Sequence, residues 1–293
     1  MPSAEPGRLP SRKPPGRGRR CCVCKPLHAP PGRVARPWPG AGGAMSAIDP
    51  LAILTIVVAL GLGGFVKGAT GSGAPLIAVP VIAAFYDVRF AIVVMVVPNI
   101  VLNVMQVWSY RQHVTGRGVA LWMCVGAVPG MAIGTLLLSR LPAEALKLGL
   151  GVILVIYLVL RLVDPDFALP PRVALRLSLP VGVMGGILQG AAGMSGPLAM
   201  LFLSTQSLAR PVFIATISVF YLTNAVVQAP ALWAEGLLTA EGMIFSTIAL
   251  VPVLVAMPLG GRVGRRMSTE TFNRWILVLI AVLAVRLLWR AFA

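Results

Sequence analysis

Lys67, Thr70 and Ser72 sit among the glycines of GFVKGATGSGAPL, Gly64 to Leu76, and Gln189 and Ser195 sit at related places in GILQGAAGMSGPL, Gly186 to Leu198. An ammonium, three hydroxyls and an amide are a donor-rich set, and they interrupt runs that are otherwise apolar. The chemistry they suit is the holding of a small anion. Glycine at Gly71, Gly73, Gly193 and Gly196 lets backbone N–H groups approach such a solute closely. A half-helix that starts after a break also presents free N–H groups and a positive dipole end. Pro75 and Pro197 stand near those starts, where proline removes no helical hydrogen bond.

Two uses of each feature stay open at this level. Gly64 and Gly68, like Gly186 and Gly190, have the spacing that lets membrane helices pack closely, whereas helix breaks at Gly68, Pro75, Gly190 and Pro197 would line a cavity. Lys67 is either an intramembrane functional group or a side chain that snorkels to an interface. Asn99, Asn103 and Gln106 fall on one helical face, as do Asn224 and Gln228; they either back a solute site or bond helices together. The candidate contacts are thus Lys67, Thr70, Gly71, Ser72, Gly73, Gln189, Gly193, Ser195 and Gly196, with Asn103, Gln106, Asn224 and Gln228 behind them.

No cluster of His, Cys and carboxylate suggests a nucleophile, a metal or a cofactor site. Cys21, Cys22, Cys24 and His28 lack the second, separated ligand pair of a zinc finger. Neither an enzyme nor a metalloprotein is expected.

The elements that must position these residues are apolar. With 57% hydrophobic and 12% charged residues and a mean hydropathy of +0.87, the chain is too apolar for a soluble globule. Stretches approaching the roughly 20 residues needed to cross a bilayer occur near 51–66, 74–86, 90–109, 118–138, 144–163, 173–190, 194–205, 210–232, 239–259 and 269–290, the second and seventh being short. The fold class predicted is an all-α polytopic membrane protein of about ten hydrophobic segments, with broken or re-entrant helices at the glycine motifs.

These segments form two copies. Gly64, Gly68, Ala69, Gly71, Pro75 and Leu76 align at one offset with Gly186, Gly190, Ala191, Gly193, Pro197 and Leu198, and the same offset places Gln106 on Gln228. A slightly longer offset places Gly134, Arg140 and Glu144 on Gly260, Arg266 and Glu270, which argues for duplication. The repeats span 45–163 and 173–293, joined by a linker loop at 164–172. Five segments per copy, or three if each short pair is a re-entrant hairpin, is an odd number. The second copy must therefore insert with the opposite sense.

Charge is distributed accordingly. The net charge is +16, yet nine cations between Arg8 and Arg36 face Glu5 alone in residues 1–44. That proline-rich tail has no apolar periodicity and reads as disordered rather than as a nucleic-acid-binding domain. Arg111, Arg117, Arg172, Arg176, Arg210, Arg262, Arg265, Arg266 and Arg274 share one face of the threading, which the positive-inside rule makes cytoplasmic, with both termini outside. A cationic tail fits that topology poorly, and MSAIDPLAILTIV from Met45 has the look of a natural start.

GFVKGATGSGAPLIAVP, its second-half echo and the regions of Gly134 and Arg262 to Arg266 resemble the TauE/SafE sulfite exporter family of membrane permeases, over essentially residues 48–290. The resemblance implies a multi-pass transporter of the bacterial cytoplasmic membrane acting on sulfite, sulfonates or related small organic anions. Ser72 and Met194 stand where that family frequently carries a bulky Phe. The expected partners are a small anionic solute and the lipid bilayer. The expected function is a secondary transporter whose two repeats rock about a midplane site; an anion channel, or a scaffold whose glycines only pack helices, are the alternatives.

Overall fold

The computed structural model describes residues 50–71, 73–114, 117–162, 169–206 and 208–264, with isolated helical positions at 278, 281, 282 and 285. Ser72, the tail, most of the linker and nearly all of the tenth segment, including Arg265, Arg266, Glu270 and Arg274, lie outside the described residues. Those described belong to one compact unit, residues 46–293.

Every regular element among them is helical: α1 (Pro50–Thr70), α2 (Ala74–Phe85), α3 (Val88–Val94), α4 (Val96–Tyr110), a short 3-10 turn (Arg111–His113), α5 (Arg117–Arg140), α6 (Ala143–Leu162), α7 (Pro171–Ala192), α8 (Gly196–Ser204), α9 (Arg210–Ala234) and α10 (Ala240–Gly264). Five of these are long and apolar enough to cross a membrane, or six if α3 and α4 are counted as one bent span. Apolar side chains also face outward, as lipid contact requires. On α10 the exposed residues Ile244, Ile248, Val251, Val255 and Leu259 recur every three or four positions and form one stripe.

The third hydrophobic segment reads from sequence as a single span, but it is bent by 41° between α3 and α4. Pro98 supplies the cause: it lacks an N–H, and its ring clashes with the carbonyl four residues back, at Val94. The freed backbone is satisfied by Ser246 of α10, whose hydroxyl donates to the Val94 carbonyl at 3.0 Å and accepts the Val97 N–H at 2.8 Å. A break inside a membrane is tolerated when another helix pairs the stranded groups in this way.

Packing repeats the sequence duplication with the partners exchanged. α1 lies along α10, and α7 lies along α5. A Cβ on Gly64 would overlap Val253, one on Gly68 the Met257 carbonyl and one on Gly260 the Phe65 carbonyl. In the other pair Gly186 meets Ala127, Gly190 meets the Met131 carbonyl and Gly134 meets the Ile187 carbonyl. These are the same three contacts, made by residues that the internal alignment relates. One turn along α1, from Gly64 to Gly68, moves the partner on α10 from Val253 to Met257, and one turn along α7, from Gly186 to Gly190, moves it on α5 from Ala127 to Met131, so the members of each pair run parallel. That direction agrees with two copies inserted in opposite senses.

Candidate functional site

Each glycine motif divides into a packing part and a breaking part. Gly68 and Gly190, expected from sequence as break points, instead lie inside α1 and α7, where the neighbouring backbone leaves no room for a side chain. The chain breaks three residues later. Gly71 (φ 80°) and Gly193 (φ 69°) adopt the left-handed conformation that ends a helix, and their N–H groups bond back to the carbonyls of Lys67 and Gln189, both at 2.8 Å. Gly73 (φ 96°) makes a second left-handed turn before α2. Lys67 and Gln189 are thereby fixed at equivalent places, one turn before each break.

After the breaks, α2 and α8 begin with Pro75 and Pro197 in their first turns. Gly73, Pro75 and Leu76 from one start, and Ser195, Gly196 and Pro197 from the other, line a common cavity. Lys67, Asn99, Asn103, Gln189, Met194 and Tyr221 complete its wall. Two helix N-termini therefore converge on one space, and the first N–H groups of a helix have no partner within it. The positive dipole ends and the ammonium add to one another.

The two sides differ chemically. Lys67 is 2% exposed, so snorkelling to an interface does not describe it. Its Nζ donates to Asn103 Oδ1 at 2.7 Å and stands 5.9 Å from the centre of the Tyr221 ring. Asn103 is held in turn by its amide, which donates to the Asn99 carbonyl at 2.7 Å. On the other side Gln189 Oε1 accepts the N–H and the hydroxyl of Ser195, at 3.0 and 2.9 Å. Gln189 Nε2 donates to Gln228 Oε1 at 3.1 Å, and Gln228 Nε2 donates to the Gln189 carbonyl at 3.1 Å. One half thus offers a cation, the other a closed network of neutral amides.

The remaining sequence candidates stand further back. Gln106 donates to the Gly71 carbonyl, as Gln228 does to that of Gln189, so both glutamines tie the ends of broken helices. Thr70 Oγ1 donates to the Val66 carbonyl at 2.9 Å. Asn224 donates to the Phe220 carbonyl at 2.9 Å, its buried Oδ1 having no partner among the described residues. Thr70, Gly71, Gly193, Gln106, Asn224 and Gln228 are not among the residues lining the cavity.

The sequence reading does not place Leu76 or Tyr221 in the wall, nor Asn99 at the solute itself. A signal existed for two of them: Asn99 and Tyr221 fall on one another at the offset that pairs Lys67 with Gln189. The cavity is small, about 20 Å³, against the roughly 10–15 Å³ that a single water needs. Among the described residues no group of three or more His, Cys, Asp or Glu side chains is placed to hold a metal.

A family model described as "Sulfite exporter TauE/SafE" matches residues 56–287. The chain is also similar to a protein of Cupriavidus necator named "Probable sulfite/organosulfonate exporter TauE", with 30% identity over 231 residues that cover 76% of this chain and 89% of the relative. No solved structure matches it. The matched span contains both glycine motifs, both helix breaks and every residue of the cavity wall, and the chain belongs to the Sulfite exporter TauE/SafE family of multi-pass membrane transporters.

Proposed function

We propose that the protein is a secondary transporter that carries a small anion, sulfite or an organosulfonate, across the cytoplasmic membrane through the cavity between the two helix breaks. The observation that carries this reading is the convergence of two helix N-termini and one buried ammonium on a single space. That arrangement supplies positive potential from the backbone and from Lys67, and neutral amide donors from Asn99 and Asn103. Sulfite and the sulfonate group each present three acceptor oxygens and match such a set. The name borne by the Cupriavidus relative supports the sulfur oxyanion class.

The scaffold alternative accounts for Gly64, Gly68, Gly186 and Gly190, whose space the opposing helices fill. It does not account for Lys67 or Ser195. The reading is tested by titrating purified protein with sulfite, methanesulfonate and acetate while following its thermal unfolding, since a ligand that binds only the folded state raises apparent stability. Stabilisation by the sulfur oxyanions, reduced in Lys67→Met, is expected; no response to any anion, with no uptake into liposomes, would refute it.

A further inference from the structure

Lys67 is buried among neutral groups. Its ammonium carries three N–H donors, and among the described residues the hydrogen-bond partner of Nζ is Asn103 Oδ1. Among the described residues, Lys67 is the one charged side chain in the cavity wall. α2 and α8 carry none. α4 contributes the amides Asn99 and Asn103 to that wall. α9 contributes Tyr221, while its Arg210 is exposed. On α10, Glu241 and Arg262 are exposed at the two ends, and on α7, Arg172 and Arg176 are exposed near the start. The equivalent position of the second repeat holds Gln189, which cannot titrate.

An ammonium withdrawn from water without a counter-charge is costly, and the cost is relieved by binding an anion or by giving up the proton. We infer that the cavity binds its anion and a proton as a pair, with Lys67 as the proton site, so that the protein moves one proton with each monovalent anion. This rests on the reading of the cavity as the anion site. Linkage makes the coupling reciprocal: anion binding raises the affinity of Lys67 for its proton, and the proton raises the affinity for anion by the same factor. The loaded site crosses as a neutral ion pair and the empty site returns as a neutral amine, so no uncompensated charge traverses the apolar core. Such a carrier exports only anion that has accumulated beyond the opposing proton gradient, and for a monovalent anion its net flux is indifferent to membrane potential.

Methanesulfonate is the appropriate probe because it stays ionised across the usable pH range, so any proton that moves belongs to the protein. In unbuffered detergent solution at alkaline pH, binding to the full-length protein should withdraw close to one proton per anion, and affinity should fall by about tenfold for each further pH unit. In liposomes loaded with methanesulfonate and a pH dye, efflux should make the lumen alkaline, and clamping the potential should leave the initial rate unchanged. Lys67→Arg keeps a charge that does not titrate; whatever its affinity, its binding should show neither pH dependence nor proton uptake. Wild-type efflux that is driven by potential and moves no proton would overturn the inference while leaving the anion site intact. Absence of binding and flux for every anion would instead remove the function on which it rests.

Discussion

Lys67 and Gln189 occupy the same position in two copies of one motif and do different work there. The ammonium is held by one neutral acceptor, so it is available to a solute; the amide is consumed by Ser195 and Gln228. Lys67→Met should therefore weaken anion binding by roughly ten- to a hundredfold, the worth of a hydrogen bond to a charged group at about 1.5–3 kcal/mol, measured by thermal-shift titration. Ser195→Ala removes the hydroxyl that donates to Gln189 Oε1 and should cost about 0.5–1.5 kcal/mol of stability, seen as a lowered unfolding midpoint. Equal binding in wild type and Lys67→Met would place the anion elsewhere.

At the scale of the element, a glycine's role follows from whether it lies before or at the break. Gly64 and Gly186 face opposing backbone, whereas a Cβ at Gly61 meets nothing within 4 Å. Gly186→Val should abolish folded protein in detergent and Gly61→Val should be tolerated, as size-exclusion profiles would report. Gly193 has φ 69°, and a Cβ there would also stand 2.9 Å from Ile92 Cγ1; Gly193→Ala should destabilise by about 1–3 kcal/mol. Ser246→Ala strands the Val94 carbonyl and the Val97 N–H at the α3–α4 bend. Its expected cost is about 1–3 kcal/mol per unpaired buried group, seen as a lowered unfolding midpoint.

At the scale of the molecule, the tight pairs cross the sequence halves. α1 with α10, and α5 with α7, meet backbone to backbone through glycine, and close-packed contacts of that kind do not slide easily. The expectation that one repeat rocks against the other is better restated as motion of the α1–α10 pair against the α5–α7 pair, each drawn from both halves. Spin labels at the exposed positions Leu62 and Val255 should keep their separation when methanesulfonate is added. Labels at Leu62 and Met184, exposed on α1 and α7, should change theirs. A changing distance within the first pair would restore the simpler picture of rocking halves.

Composition and the internal alignment of the sequence by themselves determined an all-helical membrane protein made of two copies, with breaks near the glycine motifs and Lys67 as the asymmetric residue. Those features are local or periodic: hydropathy is additive along the chain, and a duplicated motif is visible without coordinates. Only the tertiary structure decided which glycines pack and which turn, because GxxxG spacing is common to both uses. It alone brought Tyr221 and Asn99 to the cavity, turned Gln106 and Gln228 towards the carbonyls of broken helices and set Ser246 against the Pro98 bend. Each of these depends on which helix lies beside which. That is fixed by long-range packing between the halves, and no local pattern of residues encodes it.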